Sequence, residues 1–257
     1  MNLSLTIDPA KESTKIEKFL KQTFTKQSLS NAVIGISGGI DSATSFSLLT
    51  KVLKPENIFI MHLYYADPQT SAIETMLKTA HIPKANVRFL SIKPSVDAIA
   101  KNLNMKASED NKLRLGNIAA RVRMIMLFDY AKEKNALVCG TENKSENLLG
   151  YFTRFGDQAS DIEPIEHLYK TQVIQLATYL GVPKTIIQQQ PSAGLWEGQT
   201  DEGQFGFTYK EADQVLYLAV EKGLSYEEIV KQGFTNAKTI LQWREQNKFK
   251  HNTPYTL

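Results

Sequence analysis

The sequence predicts an α/β fold: a doubly wound, mostly parallel Rossmann-like sheet flanked by helices, with further helices at the C-terminal end. Three observations carry this. Short apolar runs alternate with segments of helical period from Ala10 to Cys139, the rhythm of strand, crossover helix and parallel strand. The run Ala32 to Ile36 is apolar almost throughout, as expected of a strand covered on both faces. It leads directly into Ser37-Gly38-Gly39 and then a helical pattern. That turn falls beyond the carboxyl end of a strand, where open α/β sheets bind ligands.

In chain order, periodicity predicts a helix over Ala10 to Thr25, a strand over Ala32 to Ile36 and a helix over Ser42 to Leu53. A strand at Asn57 to Tyr64, a helix at Gln69 to Ala80, a strand at Asn86 to Ser91 and a helix at Pro94 to Asn102 follow. A long helix over Asn117 to Lys134 precedes a strand at Ala136 to Cys139. Helices at Thr171 to Leu180, Lys210 to Lys222, Ser225 to Gln232 and Asn236 to Asn247 close the chain. Gly150 to Asp161 and Pro191 to Gly206 lack periodicity and read as long loops, which in a compact domain are usually functional or disordered.

The chain has 257 residues, 42% hydrophobic and 22% charged, enough to build one large α/β domain spanning 1–257. A net charge of +3 without a dense Lys/Arg block does not mark a nucleic-acid surface, and anionic small substrates remain compatible. The single cysteine, Cys139, ends an apolar run and reads as a buried strand thiol, with no internal disulfide and nothing nearby to lower its pKa. No secretory leader pattern and no segment of membrane-spanning length are visible, so the expected compartment is the cytosol.

The turn between Gly35 and Ser42 is built for phosphate. Gly38 and Gly39 have no Cβ to block φ > 0 or a ligand's approach to the main chain. Ser37 and Ser42 add hydroxyl donors, and the following helix presents its positive end. No Lys follows the second glycine, which excludes a Walker A loop, and the spacing fails the dinucleotide fingerprint. Asp41 either bridges to phosphate through Mg²⁺ or caps the helix.

Further polar residues gather on later segments. Arg121 and Arg123 are two apart, about 200° around a helix, and cannot both face one ligand. Gly140 to Glu146 follows the Cys139 strand and should reach the same sheet edge as the first turn, where Glu146 could pair with Asp41 for Mg²⁺. Arg154, Asp157 and Asp161 follow on a loop, and Lys170 opens a helix either as a solvated lysine or as a phosphate clamp.

Ser-Gly-Gly-Ile-Asp-Ser resembles the pyrophosphatase loop of the ATP-pyrophosphatase superfamily, whose members adenylate a carbonyl or carboxylate. GNIAARVRM, GTENKSENLLGYFTRFGD and PSAGLWEGQTDE, in that order between about Ile16 and Pro254, resemble the ammonia-dependent NAD synthetase family in particular. The resemblance implies amidation of deamido-NAD by ammonia, driven by cleavage of ATP, the co-substrate, to AMP and pyrophosphate with Mg²⁺ as cofactor. It implies that Gly35, Ser37, Gly38, Gly39, Asp41, Ser42, Thr141, Lys170 and Ser192 line the ATP site, with Asp41 and Glu146 on the metal. Arg121, Arg154, Asp161, Phe249 and Lys250 would bind deamido-NAD, while Asp41, Asp161 and Lys170 would take part in catalysis, Asp161 also helping to hold ammonia. A symmetric homodimer is implied as well, with no nucleic-acid or membrane partner. The apolar helix around Met124 to Phe128 fits either a dimer face or a central core helix.

The chain departs from the family near its end, where Phe249-Lys250-His251 stands for a more basic run. Arg154 replaces the family's usual lysine or Thr-Lys position, and Ser192 an often-found threonine. There is no room for an amidase domain with a Cys nucleophile, so free ammonia is the expected nitrogen source unless a separate glutaminase subunit supplies it. The loops near Gly150 and Gly194 are candidate lids, with Trp196 and Phe205 packing over substrate or anchoring a lid. Two other classes are weighed: an ATP-pyrophosphatase acting on another acceptor, such as xanthosine monophosphate or a tRNA, and a nucleotide-binding module without catalysis.

Overall fold

A computed structural model of the chain describes residues 3–66, 70–106, 108–192 and 199–256. Four parallel strands, β1 (Asn31–Gly35), β2 (Ile58–Tyr64), β3 (Val87–Ser91) and β4 (Ala136–Cys139), lie in the order β3-β2-β1-β4. The chain winds outward from β1 to β3 and then returns to the opposite side of β1. Its switch point is therefore the crevice between β1 and β4, where the turns after those strands lie side by side. The edge of β4 is extended by a short parallel bridge between Cys139 and Ile162.

Strand pleating sorts the apolar side chains onto two faces. Ala32, Ile34, Ile58 and Ile60 point into a core with helices α1 (Pro9–Gln27), α2 (Ile40–Leu49) and α3 (Ser71–Thr79). Val33, Met61, Leu63 and Val138 point into a second core with α4 (Lys93–Asn102) and α5 (Glu109–Lys134). α5 begins well before the expected Asn117, because its first two turns carry only Leu113 and Leu115 as apolar residues, two apart and so no helical stripe.

The short α6 (Lys144–Leu149) leaves the β4 turn, capped by the side chain of Asn143, which accepts from the Glu146 N–H. The irregular 150–161 segment leads to α7 (Lys170–Tyr179) and α8 (Lys184–Ile187). The expected loop from Pro191 to Gly206 contains α9 (Asp201–Phe205), started by the Thr200 side chain and ended by Gly206 at φ 78°. α10 (Tyr209–Leu216), continued by a π-helical turn over Tyr217–Glu221, packs with α11 (Tyr226–Lys231) and α12 (Ala237–Asn247) into a third core around Val215, Leu216, Ile229 and Ile240. Leu149 and Tyr169 join this core, so the C-terminal helices brace both ends of the site-bearing segment. Among the described residues no helix is long and apolar enough to cross a membrane.

Gly150 is where the C-terminal segment docks. It ends α6 at φ 63°, and a Cβ there would lie 2.6 Å from the Asn247 Cβ and 3.0 Å from the Asn247 carbonyl. Gly181 has a comparable φ of 76° but open space around it. Gly150→Ala should therefore lower the thermal midpoint more than Gly181→Ala, which incurs only the left-handed strain of about 1–2 kcal/mol. Equal losses, read by thermal unfolding, would show that the close approach to Asn247 carries no energy.

Candidate active site

The turn after β1 is held open by its own hydroxyls. Gly38 sits at φ 93°, a conformation open to glycine. The Gly39 N–H donates to Ser37 Oγ at 3.2 Å, and Ser42 Oγ donates to the Gly39 carbonyl at 3.0 Å. Gly39 is the N-cap of α2 and has no side chain to accept the first-turn amides, which leaves them to an anion.

At the crevice beside this turn, Lys170 joins two carboxylates. Its Nζ donates to Asp41 Oδ2 at 2.5 Å and to Glu146 Oε1 at 3.1 Å, with the lysine side chain 3% exposed. Asn143 Nδ2 donates to the other Asp41 oxygen at 2.9 Å, so one asparagine caps α6 and orients Asp41 at once. The Tyr209 ring covers the ammonium, its centroid 5.1 Å away. Burial pushes the Lys170 ammonium toward neutrality, but the Asp41 and Glu146 charges outweigh it and hold the group charged, above its ordinary value. Burial raises Glu146 to about 7, against the pull of Lys170.

The start of α7, which carries Lys170, is fixed from the C-terminal core. The fully buried carboxylate of Asp213 accepts from Thr171 N at 2.8 Å, from Thr171 Oγ1 at 2.7 Å and from Ser145 Oγ. Ser145 Oγ accepts in turn from the Lys170 N–H at 2.8 Å. Asp201 accepts from the hydroxyls of Tyr209 at 3.1 Å and Tyr151 at 3.2 Å. Sequence reasoning missed Asn143, Ser145, Asp201, Tyr209 and Asp213. The cap pattern Asn143 to Glu146 was a readable signal for the first, and a charged residue on the apolar Ala212-Val215-Leu216 face was one for the last.

The remaining candidates fall into two groups. Arg121 Nε donates to the Arg154 carbonyl at 3.2 Å, and the Arg154 guanidinium lies 5.2 Å from the Phe249 ring centroid. Lys250 Nζ donates to the carbonyls of Gly150 at 2.6 Å and Phe152 at 3.1 Å, so Arg121, Arg154, Phe249 and Lys250 meet around one loop. Arg123 points elsewhere, donating from Nε to the Leu63 carbonyl at 2.9 Å, as the angle between the two arginines requires. Asp161 is exposed on the outer edge of β4, where Oδ2 accepts from the Val138 N–H at 2.8 Å, with no contact to Asp41, Glu146 or Lys170. Thr141 lies in the turn after β4, and Ser192 is exposed beside a segment outside the described residues. Gly194 and Trp196 lie in that segment, whereas Phe205 is buried against Tyr151, Phe207 and Trp243 as an anchor.

No group of three or more His, Cys, Asp or Glu suited to a metal occurs among the described residues. Asp41 and Glu146 nonetheless fit Mg²⁺, which is bound through one or two carboxylates plus phosphate oxygens. They already converge on a cation, the Lys170 ammonium.

Beside this pair, burial and neighbouring carboxylates raise Glu142 to about 10, and burial raises Glu163 to about 8. Folded, both groups hold protons that the unfolded chain releases near 4.5, as does Glu146. The stability this adds is complete below 4.5 and is lost as pH rises through about 7 to 10. The thermal midpoint of the ligand-free protein should thus fall between about pH 5 and about pH 9, and Glu163→Gln should flatten the fall. A midpoint that is level or rises across that window contradicts this.

Comparison with known proteins accords with this geometry. The family model described as NAD synthase matches residues 12–254. The NH(3)-dependent NAD(+) synthetase of Fusobacterium nucleatum is 40% identical over 242 residues, 93% of this chain and 92% of that one. Among solved structures, the NMN synthetase from Francisella tularensis superposes with a TM-score of 0.83 at 32% identity, covering 98% of this chain and 99% of that one. The NH3-dependent NAD synthetase from Campylobacter jejuni gives 0.79 at 29% identity, covering 98% and 100%. Matches of this length and identity place the chain in the NAD synthase family.

Proposed function

We propose that this chain is an ammonia-dependent ligase that amidates the nicotinate carboxylate of deamido-NAD to give NAD, cleaving ATP to AMP and pyrophosphate. The observation that carries this is Lys170 held between Asp41 and Glu146 beside the phosphate-binding turn. A carboxylate is a poor electrophile because it is anionic and would expel an oxide. Adenylation removes both obstacles.

In this reading the free amides at the start of α2 and the Ser37 and Ser42 hydroxyls receive the departing pyrophosphate. Asp41 and Glu146 would hold Mg²⁺, which would supply charge neutralisation at the phosphates. Lys170, held between the two carboxylates, supplies the ammonium that neutralises charge on the departing phosphate. Thr141 and Ser192 line the ATP site. Arg121, Arg154, Phe249 and Lys250 gather on the loop that receives the dinucleotide, and Asp161 contributes from the β4 edge.

The active form is a homodimer of cytoplasmic subunits. Supporting the dimer is α5, which exposes Leu113 at 52% and Ile125 at 60% near Arg121, an apolar surface that a second copy would cover. A second reading concerns the acceptor alone. Likeness to the Francisella tularensis NMN synthetase makes nicotinate mononucleotide the competing substrate, with the same chemistry.

Purified protein with ATP, Mg²⁺ and ammonium should convert deamido-NAD to NAD with stoichiometric AMP, and nicotinate mononucleotide with a kcat/KM lower by about tenfold or more. Asp41→Asn should reduce kcat by about 100-fold. The reverse preference would reassign the acceptor, and absence of both products would overturn the proposal.

A further inference from the structure

β2 alternates its apolar side chains between two cores, with Ile58 and Ile60 in the one beneath α2 and Met61 and Leu63 in the other. His62 takes the next place on the first face, where the pattern calls for another hydrocarbon. It is 5% exposed, with the Phe89 ring centroid 5.5 Å away and the Tyr64 ring stacked on it at 5.9 Å. Its Nε2 is buried without a hydrogen-bond partner. Burying that nitrogen is a cost that leucine would not incur, so the bond made by the other ring nitrogen has to offset it.

Nδ1 lies 2.6 Å from the Ile36 carbonyl oxygen. A carbonyl only accepts, so Nδ1 carries the proton and donates it. The β1–β2 register ends at Gly35 opposite Met61, and the Ile36 N–H donates to the Met61 carbonyl at 3.0 Å. Beyond that bond the chain leaves the sheet and enters the glycine turn. The peptide group that makes this step joins Ile36 to Ser37, and it is held at both ends: its carbonyl by His62, its N–H by Ser42 Oγ at 3.3 Å. Ser42 Oγ also meets Ser37 Oγ at 3.2 Å, and Ser37 Oγ accepts from the Gly39 N–H. The tilt of one rigid peptide plane therefore governs where the hydroxyls and amides of the turn point.

We propose that His62 is a positioning residue for ATP: from β2, through the Ile36 carbonyl, it fixes the peptide plane at the entrance to the phosphate-binding turn. This rests on the function proposed above. His62 touches no substrate atom. It holds the turn in its binding conformation before the nucleotide arrives, so that little of the binding free energy goes into ordering the loop. The role depends on a donor at one reach from the backbone, which separates it from packing. Asparagine carries an N–H at the same number of bonds from Cβ as Nδ1, glutamine one bond farther out, and leucine keeps similar bulk with no donor.

Titration of the purified protein with MgATP alone tests this. His62→Leu should raise the dissociation constant for ATP about tenfold, and His62→Asn should return it to within about threefold of wild type. In turnover, His62→Leu should raise KM for ATP by the same factor and leave KM for deamido-NAD and for ammonium within about twofold. ATP binding unchanged in His62→Leu, or equal losses in the leucine and asparagine variants, overturns the proposal. So does a parallel rise in all three KM values, the mark of a fold loosened throughout. Circular dichroism checks folding; where the leucine variant does not fold, His62→Gln takes its place, and an asparagine variant that binds ATP no better than the glutamine one overturns the proposal. A wild type that binds ATP yet forms no NAD would sink the proposed function while the variants still decide the role of His62, and a wild type that binds no ATP overturns both.

Discussion

One buried cation between two carboxylates organises the sheet edge where the turns after β1 and β4 meet. Lys170 reaches from α7, Asp41 from the first turn of α2, and Glu146 from α6, so a single ammonium ties the turn after β1 to the turn after β4 and to the helix that follows. Such a cluster is costly to desolvate and is retained only when the geometry compensates it. Here compensation comes from bonds on every side: Asn143 to Asp41, and the Tyr209 ring over the ammonium. The arrangement joins two carboxylates and one ammonium beside the glycine turn.

The rest of the fold serves to place those three residues. The doubly wound sheet puts the two turns side by side at its switch point. The C-terminal helices hold the third partner. Asp213, on α10, fixes the start of α7 through Thr171 and Ser145, so Lys170 leaves a backbone that cannot slide. The last turn, Lys248 to His251, grips the 150–154 loop through Lys250 and packs His251 against the Phe152 ring.

Much of this was legible in the sequence, for reasons of period. The four strands are apolar runs bounded by turn residues, and β4 occupies Ala136–Cys139 as expected. The glycine turn announces itself because Gly38 and Gly39 break an apolar run at the strand end. What stayed hidden was local and polar. The first turns of α5 carry no apolar stripe, and α6 and α9 are too short for periodicity to register. Asp41, Glu146 and Lys170 each stand out, but Lys170 reads in the sequence as a solvated lysine or a phosphate clamp rather than as the buried partner of both carboxylates. Asp213 lies 43 positions later on a helix whose apolar face conceals it. The contact of the Glu142 N–H with the Glu163 carboxyl also escaped, since it depends on Ile162 pairing beside Cys139, a single bridge without a strand's pattern.

The central claim is that Lys170 and Asp41 act as a coupled pair, and a double-mutant cycle in ligand-free protein measures it directly. Denaturant unfolding of wild type, Lys170→Met, Asp41→Asn and the double variant should give a coupling free energy of about 1–3 kcal/mol, with the double variant less damaged than the sum of the singles. Single-variant losses that add to within about 0.5 kcal/mol would show that the ammonium and the carboxylate stabilise the fold independently, and the account built on their union would fail.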